Sequence, residues 1–179
     1  MEGTIGRLAG RATREARGGV NEIKNCTVAD FHQILKNLAQ YWGSERTLRL
    51  HHPMFLREFG DTAYVVREDG RVIAYLFGFF SQTEPAAYVH LVGVHTSHRR
   101  KGLAARLYNH FSAVARGRGC TELKAITTPD NAGSIAFHKS IGMMPAGEAG
   151  SGVTPDYAGP GQDRVVMRKR LDAPSSVVG

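Results

Sequence analysis

The chain has 179 residues, of which 42% are apolar and 22% charged, so one globular domain is expected and a disordered, collagen-like or coiled-coil chain is excluded. Its 23 Lys and Arg against 16 Asp and Glu leave a formal net charge of +7, which is typical of proteins that bind polyanions. No segment approaches the roughly 20 apolar residues of a membrane span, and the first residues lack the apolar run of a signal peptide. We therefore predict a cytoplasmic protein with a flexible basic arm at 1–20, a single domain at 21–172 and a polar tail at 173–179.

The first half of the predicted domain contains a strand, two helices and a β-hairpin. Thr27 stands three residues before Asp30, the spacing of a capping box, and apolar residues follow with helical period. Asp69-Gly70 separates two runs rich in β-branched and aromatic residues, which indicates a two-residue hairpin turn. The predicted elements are a strand at 21–26, a helix at 27–43, a short helix at 51–59 and strands at 63–67 and 71–81.

The second half alternates strands and helices. The apolar run at 86–95, interrupted by Gly93, predicts a strand, and Leu103, Leu107 and Phe111 then lie on one face of a helix. This order places a βαβ unit beside the hairpin, so we predict a mixed α/β fold with a mostly antiparallel central sheet and flanking helices. In such a sheet a ligand is expected at the carboxyl ends of the parallel strands. Further predicted elements are a strand at 122–127, a helix at 129–142, a glycine-rich loop at 147–162 and a last strand at 164–171.

Three cations and a glycine, Arg99-Arg100-Lys101-Gly102, stand where the strand passes into the helix. The unpaired N–H groups and the dipole of a helix N-terminus attract anions, and a glycine lets an anion approach the backbone. The segment lacks the Lys-Ser or Lys-Thr of a P-loop and the three glycines of a dinucleotide fingerprint. We predict a phosphate site here, with a solvated basic turn as the alternative. Residues 85–121 hold six Lys and Arg and no Asp or Glu, so much of the net charge converges on this loop.

The segment around these cations resembles the pyrophosphate-binding segment of the GNAT superfamily of N-acetyltransferases. The family pattern is Arg or Gln, two residues, Gly, one residue, then Gly or Ala, and Arg99, Gly102 and Ala104 match it. A second segment, 131–143, is similar to a later family motif, an Asn that opens a helix and a Gly-aromatic pair that closes it. Met143 stands in place of the aromatic. The resemblance covers nearly all of the predicted domain and implies a GNAT-like acyl-CoA-binding fold.

The resemblance further implies acyl transfer to an amine from acetyl-CoA as co-substrate. A bulge at Val92-Gly93-Val94 would free backbone N–H groups that polarise the thioester carbonyl. It would also splay this strand from the one at 122–127, so that pantetheine lies in the gap as an additional strand. Gly93 is equally expected as a packing glycine, and Asn131 as a helix N-cap that also contacts the cofactor arm. The implied cofactor-binding residues are Val92, Gly93, Val94, Arg99, Arg100, Lys101, Gly102, Leu103, Ala104, Asn131 and Ser134.

His90 is the candidate catalytic base. An amine with a lysine-like pKa of about 10.4 is mostly protonated at neutral pH and must lose a proton before it attacks. The family often places a Glu four residues before the Val that opens the loop motif, and His90 occupies that position. Imidazole is a competent base near neutral pH, directly or through a water. The alternative is a hydrogen-bonded sheet histidine, with Glu84 as the reserve candidate for the base.

His138 is the candidate acid that protonates the leaving thiolate. The family commonly uses a Tyr on the helix of the second motif for this step, and His138, preceded by Phe137, stands there instead. A neutral histidine that only caps the helix or contacts the thiol is the alternative.

The residues that recognise the acceptor are the least specified. Trp42, Tyr75, Phe77 and Tyr157 are predicted to border the acceptor, together with His51, His52 and the loop at 147–162. Trp42 and Phe77 are also typical core residues. A glycine-rich loop of this length is either a mobile lid or a plain connection. None of these residues specifies the amine.

The leading hypothesis is an acetyl-CoA-dependent N-acetyltransferase that acts on a primary amine by direct attack in a ternary complex, because no motif presents a covalent nucleophile. Neither Cys26 nor Cys120 lies in a motif; both are predicted to be buried free thiols, and no metal is predicted. A small-molecule amine is favoured over a protein acceptor. The alternatives are a protein N-terminal or lysine acyltransferase of the same fold, and a non-catalytic module that binds acetyl-CoA or nucleic acid.

No nucleic acid or membrane is predicted as a partner. Nucleic acid has only the basic arm and the run Arg168-Lys169-Arg170 in its favour, because no aromatic-interleaved basic stripe accompanies them. The last strand, with Val165, Val166 and Met167, is expected either to pair across a homodimer interface or to lie inside the sheet.

Overall fold

A computed structural model describes residues 22–146 and 152–171. The predicted arm at 1–20 and tail at 173–179 lie outside the described residues, as does the first part of the predicted loop at 147–162. Within the described ranges no helix is long and apolar enough to cross a membrane. The strands are β1 (Ile23–Asn25), β2 (Ala63–Glu68), β3 (Arg71–Phe80), β4 (Ala86–Val94), β5 (Glu122–Thr127), β6 (Met144–Pro145), β7 (Val153–Thr154) and β8 (Arg164–Arg170). The α-helices are α1 (Val28–Lys36), α2 (Leu38–Trp42), α3 (Met54–Arg57), α4 (Leu103–Gly117) and α5 (Ala132–Ser140).

The described strands form one eight-stranded sheet in the order β1-β2-β3-β4-β5-β8-β6, with β7 also paired to β8. Of the described pairs, β4 with β5 is parallel and the others are antiparallel. Helix α4 connects the two parallel strands, as their crossover requires. The predicted mixed α/β fold with a mostly antiparallel central sheet is confirmed.

Helices cover both faces of the sheet. On one face Ile34 of α1 packs in a cluster with Phe77 of β3. On the other face Leu107 and Phe111 of α4 pack in a second cluster with Leu76, the neighbour of Phe77 on the same strand. All five side chains have no measurable solvent exposure. Burying a side chain of this size contributes about 1.5–3 kcal/mol, so β3 is held rigidly from both sides and supports β4 beside it.

The predicted first helix begins where the capping box indicates and breaks at Asn37. The Thr27 hydroxyl accepts a hydrogen bond from the Asp30 backbone N–H, and the Asp30 carboxylate accepts one from the Thr27 N–H. Asn37 has φ −115° and its side-chain amide donates to the Gln33 carbonyl at 2.8 Å. Because such a side chain competes for helical carbonyls, the single predicted helix is corrected to two short ones, α1 and α2.

The predicted hairpin turn is confirmed. Asp69 and Gly70 both have positive φ, 48° and 75°, as a type I′ turn requires. Glu68 pairs with Arg71 directly beside the turn, which sets the register of β2 on β3.

The last strand lies inside the sheet. β8 pairs with β5 on one side and with β6 and β7 on the other. Arg168 pairs with Glu84 and Glu122, and Lys169 donates to the Ile141 carbonyl at 2.8 Å. Two of the three cations in the run Arg168-Lys169-Arg170 therefore serve contacts within the chain. The internal position, one of the two sequence-based expectations, accounts for the apolar residues of this strand.

Candidate active site

The parallel strands β4 and β5 diverge at their carboxyl ends. Their pairing runs from Ala86 with Glu122 to Val89 with Ala125 and stops there, although β4 continues to Val94. Backbone groups of β4 beyond Val89 therefore have no ladder partner on β5. The predicted splaying of these two strands is confirmed.

The bulge that accompanies this divergence lies at His90. The β3–β4 register passes from Gly78 with Val89 to Phe77 with Leu91, so His90 is the extra residue. A Cβ on Gly78 would lie 2.8 Å from the Tyr88 carbonyl oxygen, which shows how closely the strands approach at this point. The predicted bulge at Val92-Gly93-Val94 is therefore wrong in position, because the glycine that permits the close approach is on β3 and not on β4.

Gly93 is a packing glycine. It pairs with Tyr75 on β3, and a Cβ at this position would overlap the Tyr75 ring. It does not line the cleft described next, whereas its neighbours Val92 and Val94 do. Of the two roles expected for Gly93, the structure therefore supports packing against Tyr75.

A cleft of about 790 Å³ opens between the diverging strands and is closed by the first turn of α4 and by α5. Its position at the carboxyl ends of the parallel strands is the predicted one. Lys101 is exposed and lies outside it. The predicted cofactor residues that line it are Val92, Val94, Arg99, Arg100, Gly102, Leu103, Ala104, Asn131 and Ser134.

The cation loop places a helix N-terminus at the mouth of the cleft. Gly102 is the N-cap of the fifteen-residue helix α4, with φ 75° and open space where a side chain would stand. The Arg99 guanidinium donates to the Tyr41 carbonyl at 2.7 Å and fastens the loop to α2. Arg100 is exposed beside Gly102. Free N–H groups, a positive helix end and an accessible cation are the features that can hold a phosphate group, and we call this loop the phosphate cradle.

Helix α5 forms the opposite wall. The Asn131 side-chain oxygen accepts a hydrogen bond from the Ser134 backbone N–H at 3.0 Å, so the predicted N-cap is confirmed. Both residues line the cleft, and Ser134 lies one turn before His138.

His138 is buried, with 3% exposure, and both of its ring nitrogens are engaged. Nδ1 lies 2.8 Å from the Ser134 carbonyl oxygen, which can only accept, so Nδ1 carries the proton. Nε2 then accepts from the Tyr108 hydroxyl at 2.8 Å. Burial lowers the pKa of His138 and raises that of Tyr108. At neutral pH the pair therefore consists of a neutral imidazole and a protonated phenol.

His90 lies at the junction of two cavities. It lines the large cleft and also a second cavity of about 610 Å³ on the other side of the bulge. Its Nε2 lies 3.2 Å from the Leu50 carbonyl and donates to it, and its ring stacks on Phe55 at 4.5 Å. Burial lowers the pKa of His90 below its ordinary value. In the part of the chain that the structure describes, Nδ1 has no hydrogen-bond partner, so a neutral His90 presents a free lone pair.

Glu84, the reserve candidate for the base, is committed to ion pairs. Its two carboxylate oxygens accept from Lys124 at 2.7 Å and from Arg168 at 3.0 Å. The hydrogen bond from Lys124, followed by that from Arg168, holds the pKa of Glu84 below its usual range. A carboxylate so occupied is a weak base, which favours His90 of the two.

The four residues predicted to border the acceptor lie in three different places in the structure. Tyr157 lines the second cavity, and Trp42 lines the large cleft. Tyr75 and Phe77 have no solvent exposure and line neither cavity. The prediction that these two residues border the acceptor is corrected, because their side chains face the core between β3 and helices α1 to α3. Of the two histidines named with them, His52 lines the second cavity and His51 is buried.

Tyr75 supports the site from behind through a chain of hydrogen bonds. Trp42 Nε1 donates to the Tyr75 hydroxyl at 2.6 Å, and that hydroxyl donates to His51 Nε2 at 2.7 Å. His51 Nδ1 in turn donates to the Thr47 carbonyl at 2.8 Å. The chain joins β3 to α2 and to the turn that precedes α3.

Tyr75→Phe is expected to lower the free energy of unfolding by about 2–4 kcal/mol, because it leaves the indole N–H of Trp42 and the Nε2 of His51 without partners. Urea denaturation measures this loss. Tyr64→Phe is the control, since Tyr64 is also a buried tyrosine and its hydroxyl has no hydrogen bond to a described residue. A raised KM for the acceptor at unchanged stability would contradict the supporting role. It would indicate instead that Tyr75 contacts the acceptor.

Sequence reasoning missed Tyr108, Lys124 and Tyr88. Tyr108 reads as one more apolar position of the α4 face, and Lys124 and Tyr88 read as ordinary strand residues. Their meeting with His138, Glu84 and the second cavity depends on contacts 30 or more residues apart, for which the sequence carries no local signal.

Fold and cleft together define a mixed α/β protein whose cation-rich loop and helix N-terminus lie where two parallel strands diverge. A sequence model of the Acetyltransferase (GNAT) family matches residues 28–143, and the chain belongs to this family.

Individual relatives match this chain at 30% identity or less over part of its length. The chain is 29% identical over 114 residues to the L-2,4-diaminobutyric acid acetyltransferase of Marinococcus halophilus, a match that covers 63% of this chain and 64% of the relative. It is 30% identical over 95 residues to the aminoglycoside N(6')-acetyltransferase type 1 of Serratia marcescens, covering 52% of this chain and 63% of the relative. The chain thus spans less than two thirds of the length of these two relatives.

Solved structures share the fold. The yncA protein of Salmonella typhimurium, solved with acetyl-CoA, superposes with a TM-score of 0.63 at 23% identity over 88% of this chain and 98% of that one. The ribosomal-protein-S18-alanine N-acetyltransferase of Escherichia coli superposes with a TM-score of 0.63 at 18% identity over 89% and 99% of the two chains. At these identities the likeness concerns the fold.

Proposed function

We propose that the protein is an acetyl-CoA-dependent N-acetyltransferase that transfers the acetyl group to a primary amine by direct attack. The observation that carries the proposal is the position of His90, whose ring borders both the cleft with the phosphate cradle and the second cavity. An acetyl donor in the first and an amine in the second would meet at this residue. Membership of the GNAT family supports the assignment, as do the two relatives that are named for acetylating small amines.

The residues of the large cleft fit acetyl-CoA. Gly102 leaves open space before the N–H groups of α4, where a pyrophosphate would bind. The edge of β4 beyond Val89 is unpaired on its β5 side, as an extended amide-bearing arm requires. When bound, acetyl-CoA would supply an acetyl thioester, which is an activated acyl donor.

His90 is the proposed base. A lone pair on Nδ1 and a pKa lowered by burial keep the residue neutral and ready to accept a proton near pH 7. Stacking on Phe55 and the hydrogen bond to Leu50 fix the ring plane, so the lone pair has one direction. The proton taken from the acceptor ammonium would reside on Nδ1.

The predicted acid His138 is proposed to act together with Tyr108. Its own proton is held by the Ser134 carbonyl, so the proton of this pair that remains for transfer is the one that Tyr108 donates to Nε2. Burial keeps this phenol protonated because it raises the pKa of Tyr108. We propose that the leaving sulfur takes the hydroxyl proton of Tyr108, and that the phenolate regains a proton from solvent when coenzyme A leaves.

Direct transfer is favoured over a covalent enzyme intermediate. In the part of the chain that the structure describes, no cysteine lines either cavity. Burial raises the pKa of Cys26 to about 12 and raises that of Cys120, so both half-buried thiols stay protonated. A protonated thiol is a poor nucleophile.

A protein amine is the second candidate acceptor. It is favoured by the fold shared with an enzyme named for acetylating a ribosomal protein alanine. The predicted cytoplasmic location agrees with either kind of acceptor and stays a prediction.

Thiol release from acetyl-CoA tests the proposal. The 179-residue chain is incubated with acetyl-CoA and a panel of amines, and free thiol is measured against time. Turnover with one or more amines, together with saturable acetyl-CoA binding by calorimetry, is the expected result. Binding without turnover on any amine or peptide would indicate a sensing module, and absence of binding would contradict the cofactor assignment.

A further inference from the structure

Four aromatic side chains line the second cavity. Phe55, Phe79, Tyr88 and Tyr157 line it together with His90. The rings of Phe79 and Tyr88 stack at 4.9 Å with an angle of 22° between their planes. Paired rings of this kind present a fixed apolar surface, so the body of the molecule that binds here is expected to be apolar or aromatic.

Among the described residues, the carboxylate that lines this cavity is Glu84, and its charge is already balanced by two cations. Lys124 occupies one oxygen of Glu84 and Arg168 the other, and Arg168 also pairs with Glu122. The four groups carry two positive and two negative charges and so neutralise one another. A ligand with a second ammonium group would therefore find no negative charge to pair with.

Positive charge is left over at the same cavity. Arg49 lines it and is exposed, and no carboxylate of the described residues pairs with it. Lys124 uses one N–H for Glu84 and lies 5.8 Å from the centre of the Tyr157 ring, so it retains donors on the cavity side. Arg49 is thus a cation available to an anionic group on the ligand, and Lys124 can add a hydrogen-bond donor to the same group.

The distances suit a small molecule. Lys124 is in register with Tyr88, two residues before His90 on β4. Two residues of a strand span about 7 Å, a separation that a lysine side chain and a small ligand bridge together. One molecule can place its amine beside His90 and its anionic group among the cations.

We infer that the acceptor is a small amine that also carries a carboxylate and an apolar or aromatic side chain, the chemistry of a hydrophobic amino acid, and not a polycation. The inference rests on the proposed function, because it names the substrate class of that site. Of the acceptors for which the two relatives are named, diaminobutyric acid shares the carboxylate but adds a second ammonium group, and an aminoglycoside has several ammonium groups and no carboxylate, so the inferred acceptor differs from both.

Acceptor pairs that differ in one group test the inference. Thiol release from acetyl-CoA is measured with L-phenylalanine, with 2-phenylethylamine, which lacks the carboxylate, with spermidine and kanamycin, and with a short peptide that has a free N-terminus. The value of kcat/KM for phenylalanine is expected to exceed that for 2-phenylethylamine at least about tenfold, the effect of one charge-assisted hydrogen bond. The value of kcat/KM for spermidine and for kanamycin is expected to be at least about tenfold lower than that for 2-phenylethylamine.

Two variants link this preference to the cations. Arg49→Gln and Lys124→Met are each expected to lower the ratio of kcat/KM for phenylalanine to that for 2-phenylethylamine about tenfold, mainly through KM. Comparing ratios cancels the different basicity of the two amines. Arg57→Gln is the matched control, because Arg57 is exposed and lines neither cavity. The KM for acetyl-CoA is expected to stay unchanged in all three.

The outcomes separate this inference from the proposed function. Turnover in which spermidine, kanamycin or the peptide exceeds phenylalanine would overturn the inference and leave the acetyltransferase intact. A ratio unchanged by both Arg49→Gln and Lys124→Met would do the same. Absence of acetyl-CoA binding would overturn both.

Discussion

Gly102→Glu is expected to lower the affinity for acetyl-CoA at least about 100-fold. The new carboxylate would stand at the N-cap of α4, in the space where we propose that a pyrophosphate binds. Two like charges about 5 Å apart repel by about 3 kcal/mol at the effective dielectric of a protein surface, which is more than a factor of 100 in affinity. Isothermal titration calorimetry with acetyl-CoA measures the change directly.

A matched control exists on the same helix. Gly119 follows the other end of α4, has φ 79° against 75° for Gly102, is exposed, and also has open space where a side chain would stand. Gly119→Glu imposes the same backbone strain and the same charge away from the cleft, so the affinity for acetyl-CoA is expected to stay unchanged. Gly102→Ala, which adds strain without charge, is expected to cost at most about tenfold. Equal affinities in wild type and Gly102→Glu would refute the phosphate cradle.

His90→Ala is expected to lower kcat about 100-fold, the contribution typical of a general base. In the wild type, kcat/KM should rise with pH as His90 loses its proton. Burial lowers its pKa, so the midpoint of this rise lies below the ordinary histidine value of about 6.5 and activity is near its plateau at pH 7. Removing the imidazole removes this acidic limb, and the residual rate then rises only with deprotonation of the amine itself.

The controls for His90 distinguish proton transfer from packing. His90→Gln can still donate to the Leu50 carbonyl but cannot act as a base, so it should lose activity like the alanine variant. His32→Ala, at an exposed position of α1, should leave the pH profile unaltered. Retention of the acidic limb in His90→Ala would remove this residue from the role of base.

Local patterns predicted the elements of the fold well. The capping box at Thr27 and the turn at Asp69-Gly70 depend on hydrogen bonds and φ angles of adjacent residues, so the residue types alone indicate them. The sequence also predicts the buried face of α4, because the spacing of Leu107 and Phe111 places both on one side of the helix. The sequence did not predict the break at Asn37, because the helical period of apolar residues continues through it. The break arises because the Asn37 side chain competes for a helix carbonyl.

Positions that depend on neighbouring strands were predicted less well. The bulge at His90 was expected at Val92-Gly93-Val94 because a strand glycine was visible there. The glycine that matters is Gly78, on a different strand. Tyr75 was expected beside the acceptor, but β3 is covered on both faces, which buries every side chain along its middle.

The sequence by itself determined the position of the cation loop at the start of α4 and the order of strands and helices, because both depend on contiguous residues. It also determined the two histidines as candidates, through the motifs in which they stand. Only the tertiary structure decided that His90 joins two cavities, that His138 shares a proton with Tyr108, and that Glu84 is occupied by Lys124 and Arg168. The physical reason is that proton positions and charge balance depend on partners brought together from distant parts of the chain, where a residue type alone does not reveal what it will face.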